Sequence, residues 1–147
     1  MLYYGKLVNY VKARLIGGDQ YSYGRLQVNY NNTWGTVCRR GFTIDTADIV
    51  CLQLGFTSGA ASFNVSGPSG SENSTIWLSN INCAGNESNL AECSHSYWGQ
   101  TGCSHDEDVT IACIRGTVYL TVFVCYKKNT EMFGNDINCF TYIYQGA

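Results

Sequence analysis

Alternating apolar and polar residues predict short strands in the first forty residues of the chain. Leu26 and Val28 alternate with Gln27 and Asn29 within 25–30, which is the period of a half-buried strand. We predict further strands over 11–16, which Gly17-Gly18 closes, and over 34–38. Asn31-Asn32 is a turn signal, so 25–38 is expected to form a β-hairpin.

One segment has the apolar spacing of a helix rather than a strand. Ala47, Val50, Cys51 and Leu54 fall on one helical face. We predict a helix over about 45–54, with Asp45 or Thr46 as its N-cap and Gly55 just after its end. Cys51 would then face the core, where a disulfide could join the helix to the sheet.

The rest of the first 114 residues predicts short elements between polar loops. We expect a Gly/Ser/Asn-rich loop over 60–74 and a strand over 75–78. A short helical turn that Ser88 caps should follow over 87–93, then a polar loop with both histidines over 94–108 and a closing strand over 109–114.

The tail has a different composition, with many aromatic and β-branched residues. Its longest apolar run, Val118 to Cys125, is too short to span a bilayer and predicts a strand. We therefore divide the chain into an N-terminal extension (1–12), one domain (13–114) and a β-prone tail (115–147).

The eight cysteines are the strongest compositional signal in this chain of 147 residues. Zinc sites favour closely spaced Cys or His pairs, but here the closest cysteines are ten positions apart and there are two histidines. In a small chain, such cysteines indicate disulfides and an oxidising compartment. The cysteines lie at 38, 51, 83, 93, 103, 113, 125 and 139.

Further sequence features agree with an extracellular location, either secreted or in the ectodomain of a membrane protein. Four N-x-S/T sequons predict surface glycosylation; they begin at Asn31, Asn64, Asn73 and Asn86. Residues 1–11 lack the apolar core of a signal peptide, so we interpret the chain as a piece of a larger protein. The alternative is a cytosolic protein with reduced thiols.

Six motifs in order resemble the scavenger receptor cysteine-rich (SRCR) domain family, in its six-cysteine, group A-like form. They are ARLIGG (13–18), GRLQV (24–28), TWGTVC (33–38), ADIVCLQLGF (47–56), IWLSNINCAGNESNLAEC (76–93) and CSHDEDVTIAC (103–113). The resemblance implies an α+β fold: a small disulfide-rich domain whose curled, mostly antiparallel β-sheet cradles one α-helix, with a short second helical turn.

The resemblance also implies how six of the cysteines pair. It joins Cys38 to Cys103, Cys51 to Cys113, and Cys83 to Cys93. The first two bridges close loops of about sixty residues, and loop-closure entropy assigns each about 4 kcal/mol. Cys125 and Cys139 have no other obvious partners, so we predict that they pair with each other.

We expect the family's cation sites to be degraded at the matching positions of this chain. The first uses two Asp after the WGTVC cysteine and the Glu of the HxED motif; here Glu107 remains, but Arg39 and Arg40 replace both Asp. The second matches Ser79-Asn80 and Gly102, which carry no carboxylate. Calcium needs several oxygen ligands, so we predict no metal site and no cofactor.

The two arginines lead to two hypotheses and one plainer alternative. A disulfide between Cys38 and Cys103 would bring 39–40 near 104–108, so an arginine could pair with Glu107 or Asp106 in place of a cation. Arg39 and Arg40 could instead bind anionic ligands through their guanidinium groups. The alternative is an ordinary solvated or ion-paired surface.

No catalytic arrangement is evident in the sequence. The sequence contains no GxSxG motif of serine hydrolases, no HExxH zinc-protease motif, no P-loop and no GxGxxG dinucleotide-binding motif. His95 and His105 are the candidate general bases, but His105 belongs to a motif that resembles the family, so we interpret it as a structural loop residue. We interpret Asp45 and Asp48 as solvent-facing residues at the start of the helix, with a capping role. The tryptophans are expected to pack on the core or sheet; they are Trp34, Trp77 and Trp98.

The sequence therefore favours a non-catalytic recognition module of a scavenger-receptor-like protein. Its expected partners are extracellular proteins and anionic or microbial-surface polymers, with tandem or oligomeric display supplying avidity. The net charge of −2 gives no reason to expect binding to nucleic acid or to an anionic membrane, and no apolar run is long enough to predict membrane insertion. The alternatives are an accessory domain of a larger extracellular enzyme, such as a protease, and a structural or adhesion module of a matrix protein.

Overall fold

The computed structural model describes residues 2–3, 6–7, 10–18, 21–65, 73–116, 119–127 and 137–145, of which 2–3, 6–7, 119–127 and 137–145 are described as backbone alone. The chain divides into two compact units, Met1–Arg115 and Gly116–Ala147. The strands in these residues are β1 (Leu2–Tyr3), β2 (Lys6–Leu7), β3 (Lys12–Ile16), β4 (Tyr23–Tyr30), β5 (Thr33–Val37), β6 (Ala60–Asn64), β7 (Ile76–Leu78), β8 (Thr110–Cys113), β9 (Tyr119–Lys127) and β10 (Ile137–Gln145). The helix α1 spans Ile44–Gln53, and two 3-10 turns span Leu90–Glu92 and His105–Glu107.

The main sheet of the first unit is organised around β4. This strand pairs with β3 along 25–29, with β5 along 27–30 and with β8 along 23–25. β3 pairs with residues of β4 that also pair with β5 or with β8, so β3 must occupy one edge of β4 by itself. β5 and β8 therefore share the other edge, where each pairs with a different part of β4. β6 pairs with β8 in antiparallel orientation and forms one edge of the sheet. β7 pairs with β5 in parallel orientation and forms the other edge.

The helix begins and ends with local hydrogen bonds that its sequence supplies. The Thr43 hydroxyl accepts from the Thr46 amide at 3.3 Å, so Thr43 is the N-cap. At the other end, the Phe56 amide donates to the Cys51 carbonyl and the Gly55 amide to the Leu52 carbonyl. This is a Schellman ending, and Gly55 takes the positive φ of +94° that it requires.

The sheet and the inner face of α1 enclose one apolar core. The helix contributes Ala47, Ile49, Val50 and Cys51, and the strands and loops contribute Leu26, Val28, Val37, Leu78, Ile81, Leu90, Val109 and Ile111. Val11 is also buried in this core, at 4% exposure. The core therefore includes Val11, two residues inside the segment 1–12 that the sequence analysis assigns to an extension.

Three disulfides cross-link this unit, and they join the same pairs that the resemblance implies. Cys38–Cys103 and Cys51–Cys113 connect residues 65 and 62 positions apart, and Cys83–Cys93 closes a separation of 10. Cys51 lies on α1 and Cys113 on β8, so this bridge joins the helix to the sheet. The predicted α+β class, with a curled, mostly antiparallel sheet around one helix, is confirmed.

Local predictions differ from the structure at three places. The segment 60–74 begins with β6, because backbone pairing with β8 overrides its polar composition. Asn89, not Ser88, caps the 3-10 turn and accepts from the Ala91 amide. The predicted helix cap Thr46 instead lies buried in the first turn, where its hydroxyl accepts from the Cys83 amide at 3.2 Å.

The second unit contains a hairpin of the nine-residue strands β9 and β10. Cys125 and Cys139 are direct partners in its antiparallel register. Their sulfur atoms lie outside the described part of the chain, so a Cys125–Cys139 disulfide stays a prediction.

Candidate functional site

Backbone contacts place the two arginines after β5 beside the second 3-10 turn. Cys38 and Asp108 form an antiparallel bridge, and the Arg39 amide donates to the Glu107 carbonyl at 2.8 Å. The Cys38–Cys103 disulfide joins the same two segments. Arg39 and Arg40 are thus held next to 104–108 although they lie more than sixty residues away in sequence.

Arg40 and Glu107 form a two-pronged ion pair at this junction. The guanidinium Nε donates to Oε1 at 3.0 Å and Nη2 donates to Oε2 at 2.9 Å. The hydrogen bonds from Arg40 hold the pKa of Glu107 below its ordinary value. The two side chains are 50% and 29% exposed, so solvent screens the pair and limits its effect on stability.

Arg39 and Asp106 are exposed and do not join this ion pair. Neither forms a salt bridge within the described residues. Of the four residues predicted to interact, the structure therefore pairs Arg40 with Glu107 and leaves Arg39 and Asp106 exposed.

An open hollow of about 700 Å³ lies beside these charges. Besides Arg39, Arg40, Asp106 and Glu107, it is lined by Gly41, Phe42, Phe63, Asn64 and Val65. The rings of Phe42 and Phe63 are 5.3 Å apart and give the hollow an apolar side. We call Arg39, Arg40, Phe42, Phe63 and Glu107 the arginine surface.

The residues at the family's cation positions do not fit a calcium ion here. Both carboxylate oxygens of Glu107 accept from Arg40. Its other potential metal-binding neighbours, Cys38 and Cys103, are consumed in a disulfide. At the second position, Ser79 donates to the Gln100 carbonyl and Asn80 donates to the Ser96 hydroxyl, so neither supplies the anionic oxygens that calcium prefers.

His105 is a structural residue whose two ring nitrogens both face oxygen acceptors. Nδ1 lies 2.9 Å from Asp108 Oδ2, and Nε2 lies 2.8 Å from the Ser74 carbonyl. Burial alone would lower the pKa of His105, but these two hydrogen bonds raise it above its ordinary value. The sequence interpretation did not recognise Asp108, although its i,i+3 spacing from His105 is a usable signal for this contact.

The structure also assembles an aromatic cavity that sequence analysis did not locate. Tyr30 stacks on Trp98 with ring centres 4.3 Å apart and planes within 3°, and His95 meets Trp98 edge-on at 5.1 Å. Tyr97 is 82% exposed beside them. The cavity measures about 950 Å³ and is lined by Tyr10, Val11, Lys12, Asn29, Tyr30, Asn31, Asn32, Ala91, His95, Ser96, Tyr97 and Trp98.

The remaining residues singled out in the sequence have mixed placements. All four sequon asparagines are exposed: Asn31, Asn64, Asn73 and Asn86. Trp77 meets Tyr30 edge-on, and Trp34 lies under the Arg14 guanidinium at 4.0 Å. Asp45 is exposed, but Asp48 is half-buried and accepts from the Ala60 amide at 2.7 Å, so Asp48 joins α1 to β6 rather than capping the helix.

In the described part of the chain, none of the helices has the length and hydrophobicity that crossing a lipid bilayer requires.

Comparisons with known proteins agree on the first unit of the chain. A family model for the scavenger receptor cysteine-rich domain matches residues 16–114. Lysyl oxidase homolog 2 of Bos taurus is 43% identical over 104 residues, which cover 70% of this chain and 13% of the relative. The chain thus matches a small fraction of that protein's length.

Solved structures show the same relationship. The third SRCR domain of murine neurotrypsin has a TM-score of 0.63 and 33% identity, covering 71% of this chain and 96% of that one. The SRCR domain of mouse MARCO, in a dimeric form, has a TM-score of 0.51 and 36% identity, covering 69% and 93%.

These matches identify the kind of module. The family's domain is non-catalytic, and enzymes that carry it do so as a separate accessory segment. The order of the motifs, the three disulfides and the curled sheet all agree with the matched region. The chain belongs to the scavenger receptor cysteine-rich domain family.

Proposed function

We propose that this chain is an extracellular recognition module that binds anionic groups of its ligands through Arg39 on the arginine surface. The observation that carries this proposal is the contrast between the two arginines. Arg40 is neutralised by Glu107, whereas Arg39 is exposed beside the Phe42–Phe63 hollow without an ion-pair partner in the described residues. A guanidinium suits sulfate, phosphate and carboxylate groups.

The charges of the site indicate that a single module binds weakly. Arg39 and Arg40 contribute two positive charges, and Asp106 and Glu107 contribute two negative ones, so the four sum to zero. Long-range attraction of a polyanion is therefore small, and a direct contact to Arg39 has to supply the affinity. Tandem or oligomeric display would raise the overall affinity, which suits repetitive ligands such as microbial-surface polymers or acidic segments of extracellular proteins.

Binding of the intact chain to immobilised heparin, a sulfated probe, tests this proposal. We expect Arg39→Ala to weaken binding about five- to tenfold, the loss of roughly one charge-assisted contact. Glu107→Gln should strengthen binding, because it releases Arg40. Both effects should shrink as salt increases, and calcium or a chelator should change neither.

Lys12→Ala is the matched control, because it removes one positive charge from a position outside the arginine surface. A loss with Lys12→Ala equal to that with Arg39→Ala would show general charge attraction and would contradict a site at Arg39. Unchanged binding in Glu107→Gln would contradict the role assigned to the ion pair.

A second candidate, favoured by the relatives, is an accessory domain within a larger extracellular enzyme. The lysyl oxidase homologs carry the matching segment over 13% of their length. Sequencing the complete transcript tests this: a catalytic segment in the same reading frame supports it, and repeated recognition modules alone would contradict it. The arginine surface would then position the enzyme on its substrate or matrix.

A further inference from the structure

The aromatic cavity opens beside a sequon, and the sequon asparagine is part of its wall. Asn31 and Asn32 form the two-residue connection between β4 and β5, where Tyr30 pairs with Thr33. Both have positive φ, +47° and +60°, as in the type I′ turn of a tight hairpin. The Asn31 side chain is exposed and lines the cavity.

The lining has the chemistry of a sugar-binding surface. Tyr97 and Tyr10 are 82% and 63% exposed, so their rings are accessible to the apolar face of a pyranose. Trp98 is half-buried beside them, and Tyr30 covers one face of its ring. Side-chain amides and a hydroxyl lie among these rings, on Asn29, Asn32 and Ser96. None of the described lining residues is acidic, and the volume of about 950 Å³ is within the usual range of ligand sites, roughly 300–1,000 Å³.

We propose that the occupant of this cavity is the chain's own N-linked glycan at Asn31, whose first N-acetylglucosamine residues pack on Tyr97 and Trp98. Asn31 is one of the residues that line the cavity, so a sugar bonded to its side-chain amide nitrogen is attached at the cavity. For such a short connection the effective concentration is in the millimolar range, so even a weak sugar–ring contact is populated.

The covalent step uses a lipid pyrophosphate-linked oligosaccharide as donor, as in the secretory pathway. Asn31 Nδ2 attacks C1 of the first N-acetylglucosamine. The C1–N bond forms, the C1–O bond to the lipid pyrophosphate breaks, and one amide proton leaves as the pyrophosphate departs. No oxidant or reductant is needed. The inference rests on the proposed extracellular location, because this donor is met only on the export route.

The consequence is a covered aromatic surface. The glycan at Asn31 covers the aromatic rings near it, which would otherwise be an exposed adhesive patch. Occupancy of the cavity should also stabilise the fold, because a group that contacts only the folded state shifts unfolding by mass action.

The test uses the whole chain with the other three sequons removed (Asn64→Gln, Asn73→Gln and Asn86→Gln). It is made in secretory cells and, without sugar, in an oxidising host that lacks N-glycosylation. We expect glycosylation of Asn31 to raise Tm by about 2–5 °C. Tyr97→Ala should abolish most of that increase. Tyr21→Ala, which removes a tyrosine that is 74% exposed but does not line the cavity, should keep it.

Nuclear magnetic resonance gives a second readout that does not depend on stability. The N-acetyl methyl of the first sugar should shift upfield from stacking on the rings, and this shift should diminish in Tyr97→Ala. A glycan on Asn31 that shows neither the ring-current shift nor a Tyr97-dependent Tm would overturn the inference.

The failures of the two proposals are distinguishable. Secreted protein with intact disulfides but an unmodified Asn31 would overturn the glycan inference and leave the recognition function standing. Protein retained in the cytosol with free thiols would overturn the extracellular location as well. Binding of free chitobiose to the sugar-free protein, with no Tyr97-dependent Tm change in the glycosylated form, would assign the cavity to an external glycan and contradict the inference.

Discussion

At the residue scale, the buried carboxylate of Asp108 has one partner near it in sequence and one far from it. Asp108 is 3% exposed, and a buried carboxylate is costly unless it has partners. His105 approaches its Oδ2 at 2.9 Å and Arg25 Nε at 3.9 Å. The same histidine faces the Ser74 carbonyl, so it connects the second 3-10 turn to the segment before β7, while Asp108 connects the turn to Arg25 on β4.

The stability of this contact depends on the charge of His105. Its pKa is raised above the ordinary value of 6.5 in the folded state, so folding favours the protonated ring. That stabilisation is complete below pH 6.5 and is lost as the pH rises through the raised folded pKa. We expect the free energy of unfolding, measured with urea at a series of pH values, to decrease across this interval.

A His105→Gln variant provides the comparison for this pH dependence. The glutamine amide can donate hydrogen bonds but has no proton that titrates in this range, so the unfolding free energy of the variant should change less over the same interval. An identical slope in the variant and the original protein would show that another group is responsible.

At the scale of elements, a single carboxylate joins the helix to the sheet edge. Asp48 Oδ1 accepts from the Ala60 amide where β6 begins. Gly59, just before, has φ of +73°, and a Cβ there would lie 2.5 Å from the same oxygen. Asp48 therefore fixes the start of β6 against the helix, while pairing with β8 makes the segment a strand.

Two aspartates of the same helix allow a matched test of the junction. Asp48→Ala should lower the free energy of unfolding by about 1–3 kcal/mol, because the Ala60 amide loses its acceptor. Asp45→Ala, in the exposed first turn, should cost about 0.3–1 kcal/mol through the helix dipole alone. Both values come from urea unfolding. Equal losses for the two variants would contradict the role assigned to Asp48.

At the scale of the whole molecule, most contacts of the folded chain join residues that are far apart in sequence. The disulfides stabilise such a fold by restricting the conformations of the unfolded chain. Cys51–Cys113 and Cys38–Cys103 each close more than sixty residues, and Cys83–Cys93 closes ten. Loop-closure entropy stabilises a fold more when the loop is longer. Cys51 is also completely buried between α1 and β8, so its bridge stabilises the core packing as well.

Paired substitutions compare a long bridge with the short one. Cys51→Ala/Cys113→Ala should lose about 4 kcal/mol and Cys83→Ala/Cys93→Ala about 3 kcal/mol from loop entropy. The first also leaves a cavity in the core, which adds to its loss. Secreted yield and urea unfolding of both variants measure the difference, and a greater loss for the short bridge would contradict this ranking.

Features set by neighbouring residues could be predicted from the sequence. The alternation in 25–30 and the Asn31-Asn32 turn specify β4 and its hairpin, and Gly55 ends α1, because each depends on local geometry. The ordered cysteine motifs identified the family and so the three disulfides. The predicted N-cap, Asp45 or Thr46, was wrong by two or three positions, because the actual cap is Thr43. All three side chains can cap a helix, and only the packing of Thr46 against Cys83 in the folded chain buries Thr46.

The sequence by itself therefore determined the periodic elements, the family and the presence of a charged cluster around Glu107. Only the tertiary structure decided that Arg40 and not Arg39 pairs with Glu107, across 67 positions, and that Tyr97 and Trp98 meet Asn31 at one cavity. The physical reason is that hydrophobic period and turn chemistry act between near neighbours. The choice among equivalent side chains depends on the distance and direction that the folded sheet and its disulfides impose.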